Sequence, residues 1–191
     1  MHWCSGVVLL AVGSVLPCTA QIGVPPIPSG RLARAEIVFD ARATVADFKG
    51  KTEVAVGELE GGERLTEVRA CVEVRWRDID TKNGTRNRHM LQTVDEPRYP
   101  LIRFDLGEVV PQDVAPDSAV VLLKGSLSLH GVTREVEWPA LVRVQPAGDS
   151  VSVVAHFPVD MREYGIKPPV RLIIARMGAV VQVHVRLTFA P

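Results

Sequence analysis

The stretch KGSLSLHGVTREVEWP, Lys124 to Pro139, decides the fold. Apolar side chains alternate through Leu123, Leu127 and Leu129, stop at His130-Gly131, and resume from Val132 through Val136 and Trp138. Period-two alternation sends successive side chains to opposite faces of a strand, and a polar-Gly pair between two such runs is a tight turn. The stretch therefore predicts a β-hairpin. His130 and Gly131 read as turn-makers rather than as a site.

Outward from this hairpin the same period recurs. Ala35, Ile37, Phe39, Ala41 and Ala43 oppose Glu36, Asp40 and Arg42. Val68, Ala70, Val72, Val74 and Trp76 oppose charged residues at every intervening position except Cys71. Ile102, Phe104 and Leu106 alternate, as do Val121 and Leu123, then Ala140, Val142 and Val144, then Val151, Val153, Ala155 and Phe157, and finally Val181, Val183, Val185, Leu187 and Phe189. A shorter strand near Thr52 to Leu59 brings the expectation to about eight strands, each with one wet and one dry face. The predicted fold class is all-β, an eight-stranded antiparallel up-and-down barrel. Asp80 to Arg98 lacks alternation and is expected to hold a short helix or a long ordered loop between early strands. The inward set includes the small residues Ala35, Ala41, Ala43, Ala70, Ala140 and Ala155, so an under-filled apolar interior is expected, of the kind that takes an apolar ligand.

The chain has 191 residues, 47% of them hydrophobic, and balanced charge with 22 basic and 22 acidic side chains. That length supports one core, and the scattered charges give no basic footprint for nucleic acid. Residues 1–20 read as a signal peptide: Val7 to Leu16 is an apolar run too short to span a membrane, followed by Cys18-Thr19-Ala20 as a small-residue cleavage site. Residues 21–33, with Pro25, Pro26 and Pro28, read as a linker, and 34–190 as the barrel domain. A periplasmic mature chain without a membrane span follows, with a retained N-terminal anchor as the alternative. Cleavage would leave Cys71 as the mature chain's single cysteine, so no intrachain disulfide is expected there.

Catalytic signatures are missing from the sequence. There is no Gly-x-Ser-x-Gly elbow, no His-Glu-x-x-His, no phosphate-binding glycine loop and no zinc-spaced cysteine pair. His89, His130, His156 and His184 are far apart in sequence, and His184 falls on a polar outer face. No metal and no cofactor are expected. Asn83-Gly84-Thr85 matches a glycosylation sequon and reads more simply as a turn.

Four blocks carry a family resemblance. Ile79-Asp80-Thr81 with Arg86-Asn87-Arg88-His89-Met90, Tyr99 to Phe104, Gly125 to Arg134, and Phe157 to Ile166 resemble the YceI-like family of secreted bacterial proteins. The Leu-x-Leu-His-Gly-Val-Thr block is the most specific, and the likeness extends over Ala35 to Phe189. It implies an extended lipocalin-like barrel, periplasmic, that binds a polyprenyl lipid or quinone tail. Two positions depart from the family pattern: Asn87 stands where the family has Asp, and Met161 where it has Arg, with Arg162 displaced by one.

The leading functional expectation is a non-enzymatic carrier for an apolar isoprenoid-like ligand. The expected barrel lining is Phe39, Ala41, Val72, Val74, Trp76, Phe104, Leu127, Phe157, Val183 and Val185. Arg86, Arg88 and His89 are candidates for a polar head group at the mouth, since guanidinium forks suit phosphate or carbonyl oxygens, or else for pinning the loop. Strand parity does not separate a hollow barrel from a filled one. The alternatives are therefore an envelope interaction or stress-related module with a filled barrel, and then a lipid-acting enzyme. A homodimer is left open.

Overall fold

The computed structural model describes residues 25–43, 47–145, 149–167, 170–171 and 175–191, with no side-chain placement for Ala43 or for residues 170–171 and 175–177. The expected signal segment lies outside these residues. Within them the chain forms ten antiparallel strands: β1 (Gly30–Ala43), β2 (Phe48–Thr52), β3 (Val56–Glu60), β4 (Arg69–Arg75), β5 (Leu101–Val114), β6 (Ser118–Leu129), β7 (Val132–Val144), β8 (Val151–Asp160), β9 (Val170–Arg171) and β10 (Ala175–Ala190). One helix, α1 (Gly84–Thr93), sits between β4 and β5.

β1 has β10 on one edge and both β2 and β3 on the other. Ile37 pairs with Thr52 and Gly30 with Leu59 in one common register, so β2 and β3 are two halves of a single stave. The break falls where the Thr52 hydroxyl accepts from Val54 N at 3.0 Å, a local turn that competes with the ladder. Counting that stave once, β1, β2/β3, β4, β5, β6, β7, β8 and β10 close an eight-stranded antiparallel barrel, with the short β9 added beside β10. The expected single strand near Thr52 to Leu59 is thus longer and interrupted. β1 starts at Gly30, ahead of the domain boundary expected at residue 34.

The deciding hairpin is β6 and β7. Leu129 pairs with Val132 across a two-residue loop, and His130 and Gly131 both have positive φ, 52° and 76°. Both central residues are left-handed, as a turn matching strand twist requires. His130 Nδ1 lies 3.0 Å from the Tyr164 carbonyl oxygen, which ties the turn to the 3-10 turn Met161–Tyr164. Along β6 every second residue from Ala119 to Leu129 is buried, Gly125 among them.

Outside, charges interlock across strands. Arg103 reaches Glu73 at 2.6 Å and Asp105 at 2.6 Å, and Lys51 reaches Glu36 at 2.9 Å and Glu53 at 2.8 Å. Such exposed pairs contribute little energy each, but they mark the wet face that alternation predicted. At one end of the barrel the chain preceding β1 is pinned to the loop after β3: Ile27 is buried, and its N–H and C=O bond Gly62 at 2.9 and 3.0 Å.

Candidate functional site: an apolar cavity beneath a helix

The inward faces do not fill the barrel. A cavity of about 520 Å³ runs from mid-depth to the end carrying α1, within the size range of small-ligand sites. Phe39, Val72, Val74, Trp76, Phe104, Leu127, Phe157, Val183 and Val185 all line it, as strand parity anticipated. Ala41 does not: it is buried in the wall but lies outside the lining. Among the small alanines, Ala155 lines this cavity and Ala70 a smaller one below it. Ala35 and Ala140 are simply buried. The room therefore comes mainly from valine-rich strands rather than from alanine.

Aromatic rings shape the space. Trp138 stacks on Phe157 with ring centroids 3.6 Å apart and on Phe104 at 5.4 Å, giving a three-ring ladder across β5, β7 and β8. Trp138 belonged to the deciding hairpin yet was missing from the expected lining. Its parity on β7 was the available signal.

Two glycines seat the rings. A Cβ on Gly50 would collide with the Phe39 ring opposite it in the ladder. One on Gly125 would strike the Asp105 carbonyl oxygen and press the Phe104 ring at 3.0 Å. Glycine here serves close approach rather than unusual φ.

α1 covers the other end. Arg86, His89, Met90 and Thr93 line the cavity, the spacing of one helical face. Of the three residues expected at the mouth, Arg86 and His89 border the cavity, whereas Arg88 is exposed and outside its lining. The Arg86 guanidinium lies 4.5 Å above the Phe48 ring, and its Nη1 donates to the Thr81 carbonyl at 3.3 Å. That geometry holds a planar cation at the rim, with donors remaining for an oxygen ligand. Arg86, His89 and Thr93 are the polar members of an otherwise hydrophobic lining.

The helix is fixed by a small polar network. Asn83 caps it, its Oδ1 accepting from Arg86 N at 2.9 Å, which is the structural use of the sequon asparagine. Asn87 Oδ1 accepts from Thr81 N at 2.9 Å and Thr81 Oγ1 at 2.6 Å, while its Nδ2 donates to Asp80 Oδ1 at 2.9 Å. The donors from Asn87 and Lys82 hold the Asp80 carboxyl down to about 2. At the far side of the same connection, Arg77 Nη2 meets Glu96 Oε1 at 2.6 Å, and Glu96 is buried.

The second departure also has a structural outcome. Met161 turns its thioether chain toward the cavity, while Arg162 faces solvent and grips Asp160 at 2.6 Å. Trp76, also in the lining, carries a buried Nε1–H without a partner among the described residues, an orphan donor that costs about 1–3 kcal/mol.

Away from the cavity, His184 stacks on His156 with centroids 4.0 Å apart, and its Nε2 lies 3.2 Å from Asp40 Oδ2. This pair is on the outer face, as expected of His184. Among the described residues no three His, Cys, Asp or Glu side chains are grouped for a metal ion, and no helix is long and apolar enough to cross a membrane. Cys71 is a half-buried free thiol.

Comparison with known proteins matches this architecture. The family profile described as the YceI-like domain covers residues 31–189. Burkholderia cenocepacia BcnA superposes with a TM-score of 0.69 at 13% identity, covering 81% of this chain and 95% of that one. A polyisoprenoid binding domain from Saccharophagus degradans, implicated in plant cell wall breakdown, superposes at 0.67 with 14% identity, over 86% of this chain and 99% of that one. A YCEI protein of Campylobacter jejuni gives 0.56 at 14% identity, over 74% and 84%. Comparison with curated protein sequences gives no match.

Proposed function

The chain belongs to the YceI-like family, and from that premise we propose that it is a periplasmic, non-enzymatic carrier that holds an isoprenoid-like lipid inside its barrel. The observation that carries this reading is the 520 Å³ cavity, whose hydrophobic walls end at a rim bearing Arg86 and His89. An apolar chain entering it gains roughly 25 cal/mol for each Å² withdrawn from water, before ordering costs, so no catalytic group is needed for affinity. Binding of polyisoprenoid by a structural relative supports the ligand class. Arg86 and His89 then face the oxygen-bearing head group, and α1 is the cover under which the tail enters.

Export follows from residues 1–20, with cleavage after Ala20. N-terminal sequencing of protein taken from the periplasmic fraction should begin at Gln21; a mature chain beginning at Met1 would favour a retained anchor. For the ligand, native mass spectrometry and solvent extraction of protein purified from its own envelope should yield a bound prenyl lipid. Empty protein that also fails to bind added prenyl lipid would overturn the carrier reading.

A further inference from the structure

We infer that the barrel wall carries a slit between β7 and β8, shut by side chains instead of a backbone ladder, which parts to pass the ligand sideways. This rests on the carrier reading and adds the route by which its site is reached. Strand pairing marks the slit. β7 pairs with β6 from Val132 to Arg143, and β8 pairs with β10 from Val151 to Asp160. β7 and β8 pair with each other only where residues 140–144 meet 151–155. Residues 132–139 of β7 and 156–160 of β8, all among the described residues, therefore have a ladder on one side alone.

Two prolines start the break. Pro139 pairs with Leu122 of β6, and Pro158 with Gln182 of β10. Proline has no N–H, so each stands at a non-hydrogen-bonded position of its ladder, and such a residue turns its backbone N and O toward the strand on its other side. For both prolines that side is the β7–β8 boundary. Continuing the register of that boundary sets Pro139 opposite His156 and Pro158 opposite Glu137, so consecutive hydrogen-bonding sites each lack a donor. Nearer α1, Glu135, Val136, Val159 and Asp160 all carry N–H groups, yet the ladder does not resume.

Side chains close the boundary in its place. Trp138 and Phe157 face each other in the same register, stack with centroids 3.6 Å apart, and both line the cavity. Closer to the α1 end, Arg134 Nε donates to the Glu163 carbonyl at 2.8 Å, and His130 Nδ1 lies 3.0 Å from the Tyr164 carbonyl oxygen. These two contacts strap β7 to the turn that follows β8. Val159 and Met161, beside the boundary, also line the cavity, so parting it opens the cavity along its flank. Opening breaks ring contacts and side-chain bonds but no ladder, which makes this the low-stability stretch of wall. The slit reaches the end that carries Arg86, so a chain can be laid in from the side while its polar end stays at the rim.

The test uses the full chain in a Cys71→Ser background. Glu137→Cys with Pro158→Cys puts thiols at facing outward positions, where a disulfide staples the slit, and the reduced form of the same protein is the control. Stopped-flow fluorescence of the cavity-lining Trp76 and Trp138 follows uptake and release of geranylgeraniol, a prenyl alcohol. Stapling should slow both rates by about tenfold or more and leave Kd within about twofold, and reduction should restore them. Pro139→Val with Pro158→Val returns the two donors without a covalent lock; it should protect amides on residues 135–139 and 156–160 and slow exchange of the alcohol by about threefold or more. Equal rates in the stapled and reduced forms, or unchanged rates in a proline variant that has gained that protection, overturn the slit as the route and leave the carrier reading in place. The proline variant decides alone where the staple does not form. A parent protein that binds no geranylgeraniol overturns both.

Discussion

Single residues set the shape of the cavity and the seat of its cover. Gly50 and Gly125 each face an aromatic ring that occupies the space of a missing side chain, but their surroundings differ. At Gly50 a methyl group first meets the Phe39 ring, a side chain that can turn toward the cavity it lines. At Gly125 it meets the backbone oxygen of Asp105, which cannot move without breaking the β5–β6 ladder. Gly50→Ala should therefore cost about 1–2 kcal/mol and weaken ligand binding, while Gly125→Ala should cost about 3 kcal/mol or more, both read from denaturant midpoints. Equal costs would mean the rings, not the backbone, set the limit. Asn87 gives a second test. Its amide donates to Asp80, whose lowered pKa means stabilisation that is present above the ordinary carboxylate range and lost as pH falls toward about 2. Asn87→Asp replaces the donor by a second carboxylate, so its thermal midpoint should drop at neutral pH and recover toward the parent value near pH 4, where one carboxyl takes a proton. A deficit independent of pH would refute that account. Neither role was legible beforehand, because glycine seats depend on register and the Asn87 network on a loop path, and strand parity reports neither.

At the level of elements, strands were easier to read than the helix. β4, β6, β7 and β8 follow the alternation from Arg69 to Asp160 because each has one dry face, and the period is then a direct record of burial. The inward face of α1 is Arg86, His89, Met90 and Thr93, so the residues at helical spacing are mostly polar and hydrophobic periodicity is silent there. The broken stave was hidden for another reason: residues 53–55 include Val54 and Ala55, which do not look like a turn until the Thr52 hydroxyl claims the backbone. α1 is anchored at its C-terminal side by Arg77 and Glu96. Arg77→Ala strands a buried carboxylate and should cost about 1–3 kcal/mol, whereas Glu96→Gln keeps a hydrogen-bonding partner and should cost less. Faster amide exchange through residues 84–94 in Arg77→Ala, with β6 and β7 unaffected, would locate the loss in the cover; uniform exchange across the barrel would contradict it.

For the whole molecule, hollowness is the property to perturb. Val183 lines the cavity from β10, opposite Phe157 in the ladder. Val183→Trp should fill part of the void, leave the thermal midpoint of the empty protein within a few degrees of the parent, and abolish the ligand-induced rise, which for the parent should approach about 2.7 kcal/mol at a hundredfold excess over Kd. A retained ligand shift would place the binding site elsewhere. The barrel itself is legible in the chain, and the small inward alanines raise the expectation of an under-filled interior, but parity alone does not separate a hollow barrel from a filled one, since it is the same whether side chains meet or stop short. A last consequence concerns how the barrel is assembled. Its seam joins β1 to β10, with Arg31 opposite Ala190, so the earliest strand waits for the latest one. Until β10 emerges, β1 and β8 each keep an unsatisfied edge, and the ring cannot seal as it is made. Closure is then a late, long-range and slow event, and until the last strand arrives two open edges remain on which another chain could pair.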